Sequence, residues 1–400
     1  MKNKKLLSLA LSFVMLIPTL CLPLNAVAAE IDYVYSESYD SEDIKLIEPS
    51  GAVSNVSVDS NAVIKLRNDL RNHETQSVMK LPFPVPVTTV SVNVKLDKPS
   101  DKEYCSEYMR TLFNKAVEHT GNPIEGDYIL RQISGYECSM ESQSNGRSKL
   151  TYKVTFFTSK EKENELNTTV DEILKSLNLN GKSDYEKIKA IYDYLCSNVT
   201  YDNLDFLVAM STDAYVYFPT AHSAYGALQK KQCVCQGYAV AFYRLALSAG
   251  IDSRVIFGTA SGGGHAWNIV KLNGKYYLLD STWDAGQSEY KYFLKSEKDF
   301  PDHTPDDEHK TASWKSSYPI SATSYKAPVY DTIGDVDGDG SITAADSLSV
   351  LRISVKLETT NYTKLADVDG NASIDSADAL DILRYSVHLS ANSNIGKKIK

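Results

Sequence analysis

Two twelve-residue segments, 335–346 and 367–378, carry the same pattern of oxygen-bearing side chains 32 residues apart. In the first, Asp335, Asp337, Asp339, Ser341, Thr343 and Asp346 stand at positions 1, 3, 5, 7, 9 and 12, with Gly340 at position 6. In the second, Asp367, Asp369, Asn371, Ser373, Asp375 and Asp378 take those places, and Ala372 stands where the glycine is expected. Alternate side chains of such a loop converge on one hard cation, and the sharp turn at position 6 favours glycine. Each loop runs into a segment with helical periodicity, 347–355 and 379–387. Residues 331–388 hold eleven acids and four bases, a net charge of -7, and cations offset that repulsion. Two calcium ions, one per loop, are therefore the expected cofactors. A pair of solvated acidic turns is the alternative, and two near-complete ligand sets argue against it.

The opposite end reads as a secretory signal peptide over 1–29. Lys2, Lys4 and Lys5 precede an apolar run broken by Pro18 and Pro23, and small residues offer cleavage after Ala28 or Ala29. Removing three lysines takes the net charge from -9 to -12. So acidic a chain lacks the basic footprint of a nucleic-acid binder. No other stretch has the ~18 consecutive apolar residues that span a bilayer. The expected mature protein is exported, with no membrane attachment after cleavage.

Between the ends, 30–60 reads as a linker and 61–165 as an accessory α+β region. Within it, Val90, Val92, Val94 and Leu96 alternate with polar residues, and Cys105, Tyr108, Met109, Leu112 and Ala116 recur at helical spacing. Strands are expected near 127–137 and 150–158. The span 166–317 turns helical first. Ser183 and Glu186 form a capping box, and a later helix ends at Gly250. Three strands follow, the last two flanking the hairpin signal Asn273-Gly274. Residues 318–333 read as a second linker, 334–390 as the paired loop–helix unit and 391–400 as a tail.

Five cysteines lie beyond the leader: Cys105, Cys138, Cys196, Cys233 and Cys235. Two disulfides, Cys105–Cys138 and Cys196–Cys233, plus one thiol would use all five; five reduced thiols are the other reading. Cys235 begins a helix, where the positive end of the macrodipole favours thiolate, the nucleophilic form. A two-residue hairpin about Asn273-Gly274 pairs positions that sum to 547. His265 and Asp280 then share one face of the ribbon on a diagonal, about 7 Å or less apart and within side-chain reach. Nucleophile, base and orienting acid are the expected roles of Cys235, His265 and Asp280. The other histidines, His303 among them, are expected at the surface or in packing. Trp267 and Trp283 are expected to pack around the three. A metal site from Cys233, Cys235 and His265 lacks paired zinc-ligand spacing.

Cys235-Gln-Gly-Tyr-Ala, Gly264-His265-Ala-Trp-Asn and Tyr276-Tyr-Leu-Leu-Asp280-Ser-Thr-Trp283-Asp resemble the three core motifs of the bacterial transglutaminase-like family. The resemblance implies a papain-like α+β fold, with the nucleophile on a helix packed against an antiparallel sheet. It implies that Cys235 attacks, His265 is the base and Asp280 orients it. The Cys235 backbone N–H and, secondarily, Tyr201 are the oxyanion candidates.

The two loop–helix units, without the entering helix of a full EF-hand, resemble the type I dockerin over about 334–390. That family docks on cohesin modules of a scaffold protein and so tethers enzymes in cellulosomes. By resemblance, the cohesin-facing positions are Ala344, Ala345, Leu351 and Arg352 in one copy and Ser376, Ala377, Leu383 and Arg384 in the other. The expected whole is a secreted thiol enzyme acting on protein or peptide amides, either as a peptidase or as a transglutaminase. The alternative is a catalytically silent binding module in the same assembly.

Overall fold

The computed structural model describes residues 31–40, 56–80, 83–203 and 219–399. The expected leader, 1–29, lies outside the described residues. The fold is mixed α+β with antiparallel sheets.

Five strands, β1 (Tyr33–Asp40), β2 (Gln76–Lys80), β3 (Phe83–Lys95), β4 (Ile133–Ser142) and β5 (Arg147–Phe156), form the first sheet in the order β1-β4-β5-β3-β2. Helices α1 (Ser60–Asn72) and α2 (Lys102–Ala116) bring Leu66, Leu70, Met109 and Leu112 onto the inward residues of this sheet. Val90, Val92 and Val94 are buried, as their alternation requires. Two readings need correction. Part of the expected linker is β1, paired with β4 from Tyr33–Ser142 to Asp40–Gly135. Residues 127–132 form helix α3 (Asp127–Gln132), and β4 begins only at Ile133.

Helices α4 (Lys160–Leu177) and α5 (Asp184–Asn198) lead into the second unit. The capping box of Ser183 and Glu186 is formed. Two short strands, β6 (Thr200–Tyr201) and β7 (Gln232–Cys233), pair in parallel. The central helix α6 (Cys235–Ser248) is buried along nearly its whole length. It lies on a four-stranded sheet, β8 (Ser253–Ala260), β9 (Gly263–Leu272), β10 (Lys275–Leu279) and β11 (His303–Pro305), in the order β10-β9-β8-β11. Val255, Ala266, Val270 and Leu279 face the helix, whereas Ile256, Trp267, Ile269 and Leu278 build a separate cluster on the other face.

The two units are joined through α3. Arg254 on β8 grips the Asp127 carboxylate through Nε and Nη2 at 2.7 and 2.8 Å, and Val255 N donates to the same group at 2.9 Å. Both charged side chains are buried. Residues 318–333, read as a linker, lie against the core. Tyr276 N donates to Pro319 O, Ser321 N donates to Tyr276 O, and Tyr325 stacks on Tyr185.

At the C-terminal end, α7 (Ala312–Ser317) precedes the paired loops; α8 (Ala344–Ser354) leaves the first loop, α9 (Thr363–Ala366) enters the second and α10 (Ser376–Ser386) leaves it. Their core is small: Val350, Leu365, Ala366, Val368 and Ile382 are its most buried members. Among the described residues no helix is long and apolar enough to cross a membrane.

Candidate thiol site and acidic loops

Cys235 is the first residue of α6, behind an extended Val234 that supplies no side-chain cap. The helix start is pinned by Val234 N donating to Ala221 O. Gly237 is required by contact: a Cβ there would lie 2.6 Å from Cys233 Cβ and 2.7 Å from Ala221 O. Cys233 is therefore packed against the first turn of the helix. All five described cysteines are free thiols, so the two disulfides are not formed. Four of them are buried and one, Cys235, is partly exposed. Burial pushes the Cys105 thiol up to about 11 and Cys138 to about 12, and raises Cys196 and Cys233 further. Those four are held as neutral thiols.

The hairpin register is the one that sums to 547, from Lys275–Leu272 to Leu279–Asn268. Asp280 follows the last paired residue, and its Oδ2 lies 2.8 Å from His265 Nε2. The Cys235 thiol lies near enough to the same imidazole to interact with it electrostatically. Burial disfavours charge on this ring, but the hydrogen bond to Asp280 and the nearby Cys235 and Asp280 charges outweigh it and push the His265 pKa up to about 10. Burial likewise opposes ionisation of Asp280, yet hydrogen bonds from His265 and His303 hold its pKa below the ordinary value. Asp280 Oδ1 accepts from Thr282 N at 2.8 Å and Trp283 N at 3.3 Å, which fixes the carboxylate plane. Trp283 and Trp267 flank the His265 ring, with centroids 5.3 and 6.1 Å away.

His303, expected to be surface or packing, instead belongs to this group. Its Nε2 lies 3.1 Å from the same Asp280 oxygen, and the ring is enclosed by Trp267, Trp283 and Phe300. No sequence signal marks it, because it arrives through pairing of β11 with β8. Tyr201 is half-buried on β6, in register with Cys233. Gln236, beside the thiol, donates to Arg131 O at 2.8 Å, so α3 of the first unit reaches the edge of the site.

In the paired loops, oxygens of Asp335, Asp337 and Asp346 lie within 4.8 Å of one another, as do those of Asp367, Asp369 and Asp378. Asp339 and Asp375 lie outside these clusters. Asp339 accepts from Ser341 N, and Thr343 and Asp375 serve as helix N-caps in capping boxes with Asp346 and Asp378. The donor set fits a hard cation. Asp335 Oδ1 is buried with no hydrogen-bond partner among the described residues. Burial, reinforced by neighbouring carboxylates, holds the Asp335 and Asp337 carboxyls above their ordinary pKa, a penalty that a bound cation would relieve.

Ala372 at position 6 adopts φ +68°, where a side chain is strained. Ala372→Gly is expected to stabilise the second loop by about 1 kcal/mol. The check is a higher urea midpoint for the isolated C-terminal transition; an unchanged or lower midpoint removes the strain argument. The eight expected cohesin-facing residues are all exposed. They stand beside a broken apolar surface that includes Leu348 and Leu380 at equivalent places in α8 and α10.

Two family models match the sequence: the transglutaminase-like superfamily over residues 171–281 and the dockerin type I domain over 333–385. Kyphoscoliosis peptidase from Homo sapiens is 30% identical over 129 residues, covering 29% of this chain and 18% of that protein, and the Mus musculus protein matches to the same extent. The chain thus spans less than a fifth of the length of these curated relatives. Among solved structures, one described as a crystal structure of a TGase is 19% identical, with a TM-score of 0.30, over 40% of this chain and 48% of that one. A helix-borne thiol beside a hairpin and two ligand-bearing loops behind it thus coincide with the matched segments: the chain carries a transglutaminase-like core domain and a C-terminal type I dockerin domain.

Proposed function

We propose that this protein is an exported cysteine enzyme that acts on protein or peptide amides and is carried by a scaffold cohesin. The observation that supports the chemistry best is the grouping of the partly exposed Cys235 thiol at a helix start with the His265 imidazole, whose Nε2 lies 2.8 Å from the Asp280 carboxylate. Cys235 Sγ adds to the amide carbonyl carbon, and His265 delivers a proton to the departing amine as the C–N bond breaks. A thioester remains on the sulfur. Water, or a lysine amine, attacks it, His265 takes the proton of the attacking group, and the sulfur leaves as thiolate. Asp280 holds the ring in the orientation that both steps need. The Cys235 backbone N–H and Tyr201 are the candidates for holding the oxyanion. Hydrolysis is the favoured outcome, since water is the default acceptor and the matched relatives are named peptidases.

The dockerin implies a cohesin partner and attachment to an extracellular cellulosome. Asp335, Asp337, Asp346 and their counterparts Asp367, Asp369 and Asp378 would hold the calcium ions, with the remaining loop oxygens completing each shell. Bound calcium supplies the positive charge that lets these carboxylates pack together.

The test is mass spectrometry of a protein mixture incubated with the full chain and a primary-amine probe. Cut peptides or amine-tagged glutamines are expected, and both vanish with Cys235→Ala while the fold is retained. Absence of both products from the parent protein, or product undiminished in Cys235→Ala, overturns the enzyme reading in favour of a silent module.

A further inference from the structure

Four donors meet the Asp280 carboxylate: Thr282 N and Trp283 N at Oδ1, His265 Nε2 and His303 Nε2 at Oδ2, the last two at 2.8 and 3.1 Å. An ionised carboxyl has about four acceptor sites, so the set is full. Because the carboxylate only accepts, each ring carries a proton on Nε2, which leaves His265 Nδ1 to exchange protons with the reacting groups. The fourth donor is held firmly. The His303 side chain is 1% exposed, and the rings of Trp267, Trp283, Tyr292, Phe300 and His265 pack round it with centroids 4.0–5.5 Å away. Asp280 is the ionised group it touches, and the Tyr292 hydroxyl is turned to Asp302. Close approach of β11 to β8 delivers the ring, and Gly258 permits it: a Cβ there would lie 2.1 Å from Thr304 O and 2.7 Å from Pro305 Cα.

Two donors on one oxygen share its charge. With His303 absent, the whole of Oδ2 would bear on His265, in a site too dry for water to take the vacant place. An imidazolium so gripped is a poor acid, and the proposed reaction needs His265 to give a proton to the departing amine. We infer that His303 is a positioning residue for the thiol reaction: by occupying one acceptor site of Asp280, it weakens the hold of that carboxylate on the His265 imidazolium and eases proton release to the leaving group. The inference rests on the thiol reading above and adds to it a fourth side chain, which acts through Asp280 rather than on substrate.

The experiment compares the full chain with His303→Leu, which removes the donor, and His303→Gln, whose amide N–H can replace it. Product formation from the protein mixture should fall about tenfold in His303→Leu and recover to within about threefold of the parent in His303→Gln. Alkylation of Cys235 by iodoacetamide at neutral pH should stay within about threefold of the parent rate in both, because the imidazolium beside the thiol is kept. A role in packing alone would lower turnover and alkylation together. Where His303→Leu does not fold, His303→Met, equally without a donor and more adaptable, takes its place. NMR of the parent with isotope-labelled histidine should put the His303 proton on Nε2, the signal being assigned by its loss in His303→Gln. A proton on Nδ1, turnover undiminished in the donorless variant, His303→Gln as slow as that variant, or a joint fall of turnover and alkylation each overturns the inference and leaves the thiol reading standing. A parent protein that forms no product removes both.

Discussion

Asp127→Ala should destabilise the protein by about 3–5 kcal/mol, because it strands a buried guanidinium. Arg254 is 4% exposed and Asp127 1% exposed. Burial raises the carboxyl pKa, but Arg254 lies so close that Asp127 is held down to about 2. Arg254 also stacks over Trp314 and Tyr318, so it cannot swing out to water without breaking further contacts. The folded pKa of Asp127 is depressed, so its contribution is present above the unfolded value near 4 and is lost as pH falls through about 2. Denaturant unfolding at neutral pH measures the loss. The double variant Asp127→Ala with Arg254→Leu should recover much of it, since no charge is then left unpaired. A single-variant loss below about 1 kcal/mol would show that water reaches the pair. The same pair joins α3 to β8, so the loss should appear in the cooperative transition of both units rather than in one alone.

Chelating calcium should unfold the C-terminal unit and spare the rest. The segment 331–388 carries a net charge of -7, and its core is a handful of residues around Val350, Leu365, Val368 and Ile382. A core of that size rarely supplies more than about 3–5 kcal/mol, too little to oppose clustered carboxylates without a cation. Hydrogen exchange read by mass spectrometry is the measurement. With chelator, protection should collapse across α8 and α10 and persist in β3, β5 and α6. Full protection of α8 and α10 in chelator would refute the calcium account.

Much of the candidate site was legible locally. The Asn273-Gly274 turn sets the hairpin register, and that register alone brings His265 beside Asp280. The loop pattern brings Asp335 and Asp337 together as alternate side chains of a tight turn, and Asp346 reaches back from the first turn of α8, accepting from Val336 N and Asp337 N. What escaped depends on partners distant in the chain. The β1 strand looks like a linker because its hydrogen bonds go to β4, about a hundred residues on. Residues 127–132 have strand-like composition, but buried pairing of Asp127 and Arg131 with distant residues holds them in a helix. His303 carries no motif, and only the pairing of β11 with β8 brings it to Asp280.

The sequence by itself therefore determined the thiol, its imidazole and carboxylate partners, and the two acidic loops, since each rests on turn chemistry and short spacing. Only the tertiary structure decided that the other four thiols stay buried and unbridged, that α3 of the first unit clamps the second, and that a second histidine shares the carboxylate inside an aromatic shell. Contacts between segments a hundred residues apart arise from shape and desolvation across the whole chain, which no local pattern encodes.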